Sequence, residues 1–156
     1  MAATILIADD DPAKLAKWDI VVLDMDQQFQ FPDKVRKIKE INPKTKVLAY
    51  VSVGEISRAR FVGDQRSPGY QMASRIPEEW FMHKPDGSRA FWWPGTYQMN
   101  ATNLGPQVQG QRWNTFVGPF IRDTLMPSGL WDGVFLDSAY GDVSSRFGAL
   151  DPDRDG

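Results

Sequence analysis

Three apolar runs constrain the fold most: DIVVLDMD (Asp19 to Asp26), KVLAYVSVG (Lys46 to Gly54) and DGVFLDSAY (Asp132 to Tyr140). The first is rich in β-branched residues and the second is nearly continuous, the pattern of a strand covered on both faces in a parallel sheet, while the third is a further strand ending in an acid. A shorter run of the same kind, TILIA (Thr4 to Ala8), is followed by Asp9, Asp10, Asp11 and Pro12. Helical signals separate the runs. Asp9 to Pro12 can cap a brief helix over Ala13 to Trp18 by accepting free backbone N–H groups. Pro32 opens PDKVRKIKEI, in which Val35, Ile38 and Ile41 recur at helical spacing while Lys34, Arg36, Lys37 and Lys39 form a solvated face. The order is βαβαβ, which short crossovers fold into adjacent parallel strands.

From Glu55 to about Gln111 the chain changes character and becomes rich in Gly, Pro, Trp and polar residues with few periodic signals. So long a loop in a compact domain is either functional or conceals structure. Periodicity resumes as a helix over Arg112 to Met126. His83, the one histidine, is expected on an exposed turn set by Pro85, Asp86 and Gly87, with no catalytic role.

Composition removes several function classes. Eighteen basic against twenty acidic residues leave a net charge of −2, which gives no electrostatic reason to expect nucleic acid as a partner. No cysteine is present, so disulfides and thiol catalysis are excluded. No apolar run reaches the ~20 residues of a membrane helix, so no membrane insertion is expected. The N-terminus carries no signal-peptide pattern; a secreted or cell-surface setting is expected for a longer form.

The octet ILIADDDP (Ile5 to Pro12) together with Asp24, Ser52, Lys84 and Pro85 resembles a receiver domain of the response regulators. Asp10 and Asp24 are 24 − 10 = 14 positions apart, room for one short helix where a receiver has a helix and a second strand. A receiver-like signalling domain is therefore a remote alternative. The strand ends point elsewhere. VVLDMD, YVSVGE and VFLDS all put carboxylates at the C-terminal ends of parallel strands, the edge where open α/β sheets and (β/α)8 barrels collect ligands. Alternation places Val22, Asp24 and Asp26 on one side of their strand, Tyr50 and Ser52 on one side of the next, and Phe135 with Asp137 on one side of the last.

WDIVVLDMD, KVLAYVSVGEI, WFMHKPDGSRAFWWPGTYQMNATN and GLWDGVFLDSAY, in that order, resemble the hypothetical glycoside hydrolase-like TIM barrels related to the endo-α-1,4-polygalactosaminidase group. The resemblance runs from Trp18 to Tyr140. It implies a partial (β/α)8 barrel, because a TIM barrel takes ~250 residues and four strands in 156 make about its first half. The whole chain would then be one incomplete barrel domain at the N-terminal part of a longer protein. It also implies a carbohydrate substrate, hydrolysis by carboxyl groups and no required cofactor. Glycoside hydrolysis uses two carboxyl groups across the scissile bond; Asp137 and Glu55, ending neighbouring strands, are the expected pair. Phe135, Trp131 and Tyr140 are expected around Asp137, raising its carboxyl towards a general acid, while Gly54 lets the chain turn so that Glu55 faces the mouth. Asp24, Tyr50 and Ser52 are expected to meet the sugar, and Trp92, Trp93 and Tyr97 to stack on it. If the nucleophile lies on a later strand, this chain alone is inactive; a non-catalytic carbohydrate-binding barrel is the competing class. At the C-terminal end, Asp151, Asp153, Asp155 and Gly156 match positions 1, 3, 5 and 6 of a calcium loop, or form a polar turn.

Overall fold

The computed structural model describes residues 3–5, 11–91, 93–139 and 150–153. Four parallel strands form its centre: β1 (Ala3–Ile5), β2 (Ile20–Asp24), β3 (Lys46–Ser52) and β6 (Gly133–Asp137), lying side by side in that order. The described residues are thus mixed α/β around an open parallel sheet and form no closed barrel among themselves. Helix α1 (Pro12–Leu15) is shorter than the sequence suggests. Asp11 caps it by accepting the Ala13 N–H at 2.9 Å, and Pro12 occupies the first turn, where a missing N–H costs nothing. Helix α2 (Gln27–Gln30) leads into α3 (Pro32–Ile41), which buries Val35 and Ile38.

The sheet's two faces differ. Val21, Leu23, Val47, Ala49 and Val51 are buried in the core shared with Leu15, Val35 and Ile38. On β3 the alternate residues Leu48, Tyr50 and Ser52 are only half-buried. The run expected to be covered on both faces is therefore covered on one, since the helices packed here lie on one side of it. Register aligns the other face in rows: Val22, Leu48 and Gly133; Asp24, Tyr50 and Phe135; then Ser52 and Asp137.

The stretch from 55 to 111 is not a featureless loop. It contains β4 (Glu55–Ser57), a 3-10 turn (Arg58–Val62), α4 (Pro68–Ala73), a second 3-10 turn (Glu78–Trp80) and β5 (Thr96–Gln98). Strands β4 and β5 pair antiparallel, Glu55 opposite Gln98 and Ile56 opposite Tyr97. Elements of three to six residues are too short to show a period, which is why the sequence reads there as loop. Trp80, Phe81, Trp113, Phe116 and Phe120 join this region to the core as an aromatic cluster.

His83 overturns the expectation of an exposed turn. It is 2% exposed, its Nδ1 lying 2.8 Å from the Phe81 carbonyl and its Nε2 3.0 Å from a Glu78 carboxylate oxygen. The turn begins just after it, where Gly87 adopts φ 78° and donates to Lys84.

Helix α5 (Trp113–Phe120) widens into a π-helical turn over Ile121–Leu125 directly after Pro119, which has no N–H to offer the regular ladder. Its Trp113 indole donates to the Val53 carbonyl at 2.6 Å, tying the helix to the outlet of β3. At the opposite edge, Asp132 fastens three elements. Its carboxylate accepts the Val47 N–H at 2.8 Å and the Lys39 ammonium at 2.7 Å, with Lys46 at 3.6 Å. Burial works to raise this carboxyl, but those donors outweigh it and hold it below the ordinary aspartate value.

Candidate active site

Strands β3 and β6 end together, and their ladder runs one step further: the Val53 N–H donates to the Asp137 carbonyl at 2.9 Å. Beyond that bond the chain must pass over β6 before starting β4. Gly54 makes this possible because a Cβ there would stand 2.4 Å from the Ser138 carbonyl oxygen. The glycine's use is close approach rather than the free turning the sequence suggested. Ser138 itself takes a left-handed φ of 57°, uncommon for a residue with a side chain. This crossing brings Glu55 to the end of the parallel sheet beside Asp137.

Tyr50, one register row below, donates its hydroxyl to Asp137 Oδ2 at 2.5 Å. Its ring stacks on Phe135 with centroids 6.3 Å apart. Burial, then the bond to Asp137, pushes the Tyr50 phenol well above its usual range, so it remains a donor. The Glu55 carboxyl is also raised: burial is the main cause, the Thr96 hydroxyl pulls the other way and the Asp137 charge adds to the rise. Among the described residues, Glu55 Oε2 and Ser52 Oγ are buried without a hydrogen-bond partner. Two carboxyl groups, a phenol oriented on one of them and unspent polar atoms therefore meet at the ligand-binding edge of the sheet.

The expected surroundings of Asp137 are corrected in part. Phe135 shares its face, but Trp131 precedes the other end of β6, where it is buried and its indole donates to Gln28 at 2.9 Å. Tyr140 lies outside the described residues.

Asp24 reaches the same edge already engaged. It accepts the Arg60 guanidinium at 2.7 Å and the Asp26 N–H at 2.9 Å. Arg60 also donates to Asp26 at 3.0 Å, and Asp26 takes the Gly69 N–H at 2.6 Å. Burial outweighs Arg60 and Gly69 and leaves the Asp26 carboxyl raised. A Cβ on Gly69 would fall 2.0 Å from the Arg60 guanidinium and 2.7 Å from an Asp26 carboxylate oxygen, so any larger residue there would displace these side chains from their present pairing. A cleft of about 410 Å³ opens beside it, lined in part by Gln27, Ser57 and Asp64.

The aromatic residues do not gather at the acids. Tyr97 pairs with Ile56 and so faces away from Glu55; it packs on Phe61 and Phe81, with the Arg58 and Arg89 guanidiniums over its ring at 5.5 and 4.6 Å. Trp93 is half exposed, and its N–H donates to Thr96 at 3.0 Å. Trp92 lies outside the described residues, as does Asp155 of the aspartate series. Asp151 pairs through its backbone with His83, Asn100 donates to the Pro152 carbonyl at 2.7 Å, and Asp153 is exposed. Among the described residues no group of three or more His, Cys, Asp or Glu could hold a metal ion.

Sequence reasoning did not find Arg60, Gly69, Thr96, Met25 or Met72, all of which border the acids. Only Thr96 left a signal: two positions before Gln98 in a short TYQ strand, it shares the Glu55 face once β4 and β5 are paired.

No curated protein matches the chain. A family model does, over residues 39–153, the span that carries β3, Glu55, the β4–β5 pair and β6. That match covers most of the chain, and the chain belongs to the family described as hypothetical glycosyl hydrolase family 15.

Proposed function

We propose that the chain supplies the carboxyl pair of a (β/α)8-type glycoside hydrolase acting on a polysaccharide outside the cell or at its surface. One observation carries this reading: Glu55 and Asp137 leave adjacent parallel strands at one edge, in different environments. Glu55 is raised by burial and retains an unpaired oxygen, as a proton donor to a leaving sugar requires. Asp137 is oriented by the Tyr50 hydroxyl, as a carboxylate that must face the anomeric carbon, or a water beside it, requires. The roles are thus the reverse of those expected from the aromatic residues near Asp137 in the sequence.

The open face bearing Leu48, Tyr50 and Phe135 is the face that lines the interior of a closed barrel, and further strands would cover it. The aspartate series from Asp151 is proposed as the start of a calcium loop on the same protein, apart from the chemistry. Release of reducing sugar from a panel of glycans by the full protein tests the reading. Glu55→Gln and Asp137→Asn should each lower the rate by about 10²–10⁴-fold with the fold intact. Full activity in either variant would remove that residue from the mechanism, and saturable glycan binding without turnover would favour a binding module.

A further inference from the structure

Behind Glu55 lies a separate, narrower cavity of about 80 Å³, with Met25, Ile56 and Met72 as its apolar floor and Ser52, Glu55 and Thr96 among its polar walls. The floor residues are buried, at 2%, 3% and 2% exposure. We propose that this cavity is a specificity pocket for an acetamido substituent on the sugar beside the reacting bond, a deepening that rests on the glycosidase reading above. Size makes the first selection. An apolar cavity of about 150 Å³ admits benzene; one of about 80 Å³ excludes a pyranose ring and admits a group of a few heavy atoms.

Donor and acceptor inventory makes the second. Among the residues lining this cavity, Glu55 Oε2, an acceptor, and Ser52 Oγ, able to donate, are the buried atoms without partners. An acetamido group carries one N–H for the first, one carbonyl for the second and one methyl for the methionine and isoleucine floor. A hydroxyl satisfies one polar atom and leaves the floor uncovered. An ammonium would enter a largely apolar floor at a high desolvation cost, and a carboxylate would face the Glu55 carboxyl, while the Arg60 guanidinium on the same wall is already bound by Asp24 and Asp26. Using Oε2 for the amide leaves the other Glu55 oxygen for the proton, so recognition and chemistry do not compete.

The test titrates the full chain, isotopically labelled at methionine and isoleucine methyls, with methyl 2-acetamido, 2-amino and 2-hydroxy glycosides of the gluco and galacto series. The acetamido members should shift the Met25, Ile56 and Met72 methyl signals and bind about tenfold or more tightly than the hydroxyl members, the scale of one well-placed apolar group. Ser52→Ala, and Met72→Phe shown to be folded by circular dichroism, should each erase most of that preference. Equal binding of the hydroxyl or amino members overturns the proposal, as does a preference unchanged in both variants. Hydrolysis indifferent to the acetyl group sinks the pocket and leaves the glycosidase reading standing. A retained acetamido preference without hydrolysis of any glycan does the reverse.

Discussion

Strand β6 joins two aspartates with opposite fates. Asp132, just before its first residue, receives hydrogen bonds from Val47 and Lys39 and lies near Lys46, and its carboxyl is held below the ordinary value. Asp137, its last residue, takes the Tyr50 hydroxyl and shares its edge with Glu55, whose carboxyl is raised and incompletely bonded. Strand β6 thus carries a cation-paired carboxylate at its N-terminal end and unspent polar groups at its C-terminal end, where the ion pairs belong to β2 and Arg60 instead. A carboxylate paired with cations cannot also serve a substrate, and a buried one left partly unpaired costs stability unless something binds there. Under the proposed function, β6 divides holding the sheet from chemistry between its two ends.

Charge-neutral substitution at each end should break the comparison most sharply. Asp137→Asn should lower glycan hydrolysis by about 10²–10⁴-fold with little change in the urea midpoint. Asp132→Asn should do the opposite, costing about 1.5–3 kcal/mol, the range for hydrogen bonds to charged groups, while the activity of the folded protein persists. The sign of its pH dependence follows from the lowered carboxyl. The Asp132 contribution is complete above the unfolded aspartate value of about 3.9 and is lost as pH falls through the lowered folded value. Urea titrations at neutral and acidic pH check both statements; equal loss of stability in the two variants would erase the division of labour.

Gly54→Ala probes the crossing that joins the strand end to the acid. Its Cβ would press on the Ser138 carbonyl, so β4 must shift or the β3–β6 ladder must open. We expect a cost of about 1–3 kcal/mol, the range for overpacking, with activity reduced even where the protein remains folded, because Glu55 moves with β4. Gly87→Ala, at an exposed turn with nothing near its Cβ, would carry backbone strain alone and should leave activity unchanged. Parallel measurement of melting temperature and hydrolysis separates the two glycines.

The parts legible in the sequence were those built from long, locally patterned elements. Strands β2, β3 and β6 announced themselves as apolar runs, and α3 as a proline followed by Val35 and Ile38 at helical spacing. Strand alternation then sufficed to put Tyr50 and Ser52 on one face and Asp137 on the face they share. What escaped was set by pairing over distance. Tyr97 reads as a sugar-stacking residue until its register with Ile56 turns it away from Glu55. His83 reads as a turn residue until Phe81 and Glu78 bind both ring nitrogens. Arg60 and Met72 come from elements too short to have a period, and their places depend on Gly69 allowing α4 to close on Asp26. The partial barrel implied by the resemblance is likewise carried by pairing over distance: the four strands lie in one open sheet with β1 and β6 at its edges.

The smallest expected effect concerns the pH slope at the C-terminal edge. A carboxyl raised in the folded state binds its proton more readily there than in the unfolded chain. Its contribution is therefore fully present below the unfolded glutamate value of about 4.3 and is lost as pH rises through the folded one. Burial is the leading cause at Glu55, so charging it is what costs the protein. Glu55→Gln keeps the shape, removes the titration and should flatten the stability profile across the weakly acidic range. The variant should be slightly more stable than the parent at neutral pH and indistinguishable from it near pH 4, while losing activity. Unfolding midpoints at intervals from pH 4 to 7.5 read this directly. A parent profile no steeper than the variant's would mean that Glu55 is solvated like a surface acid, and the contrast between the two edges would then rest on Asp137 alone.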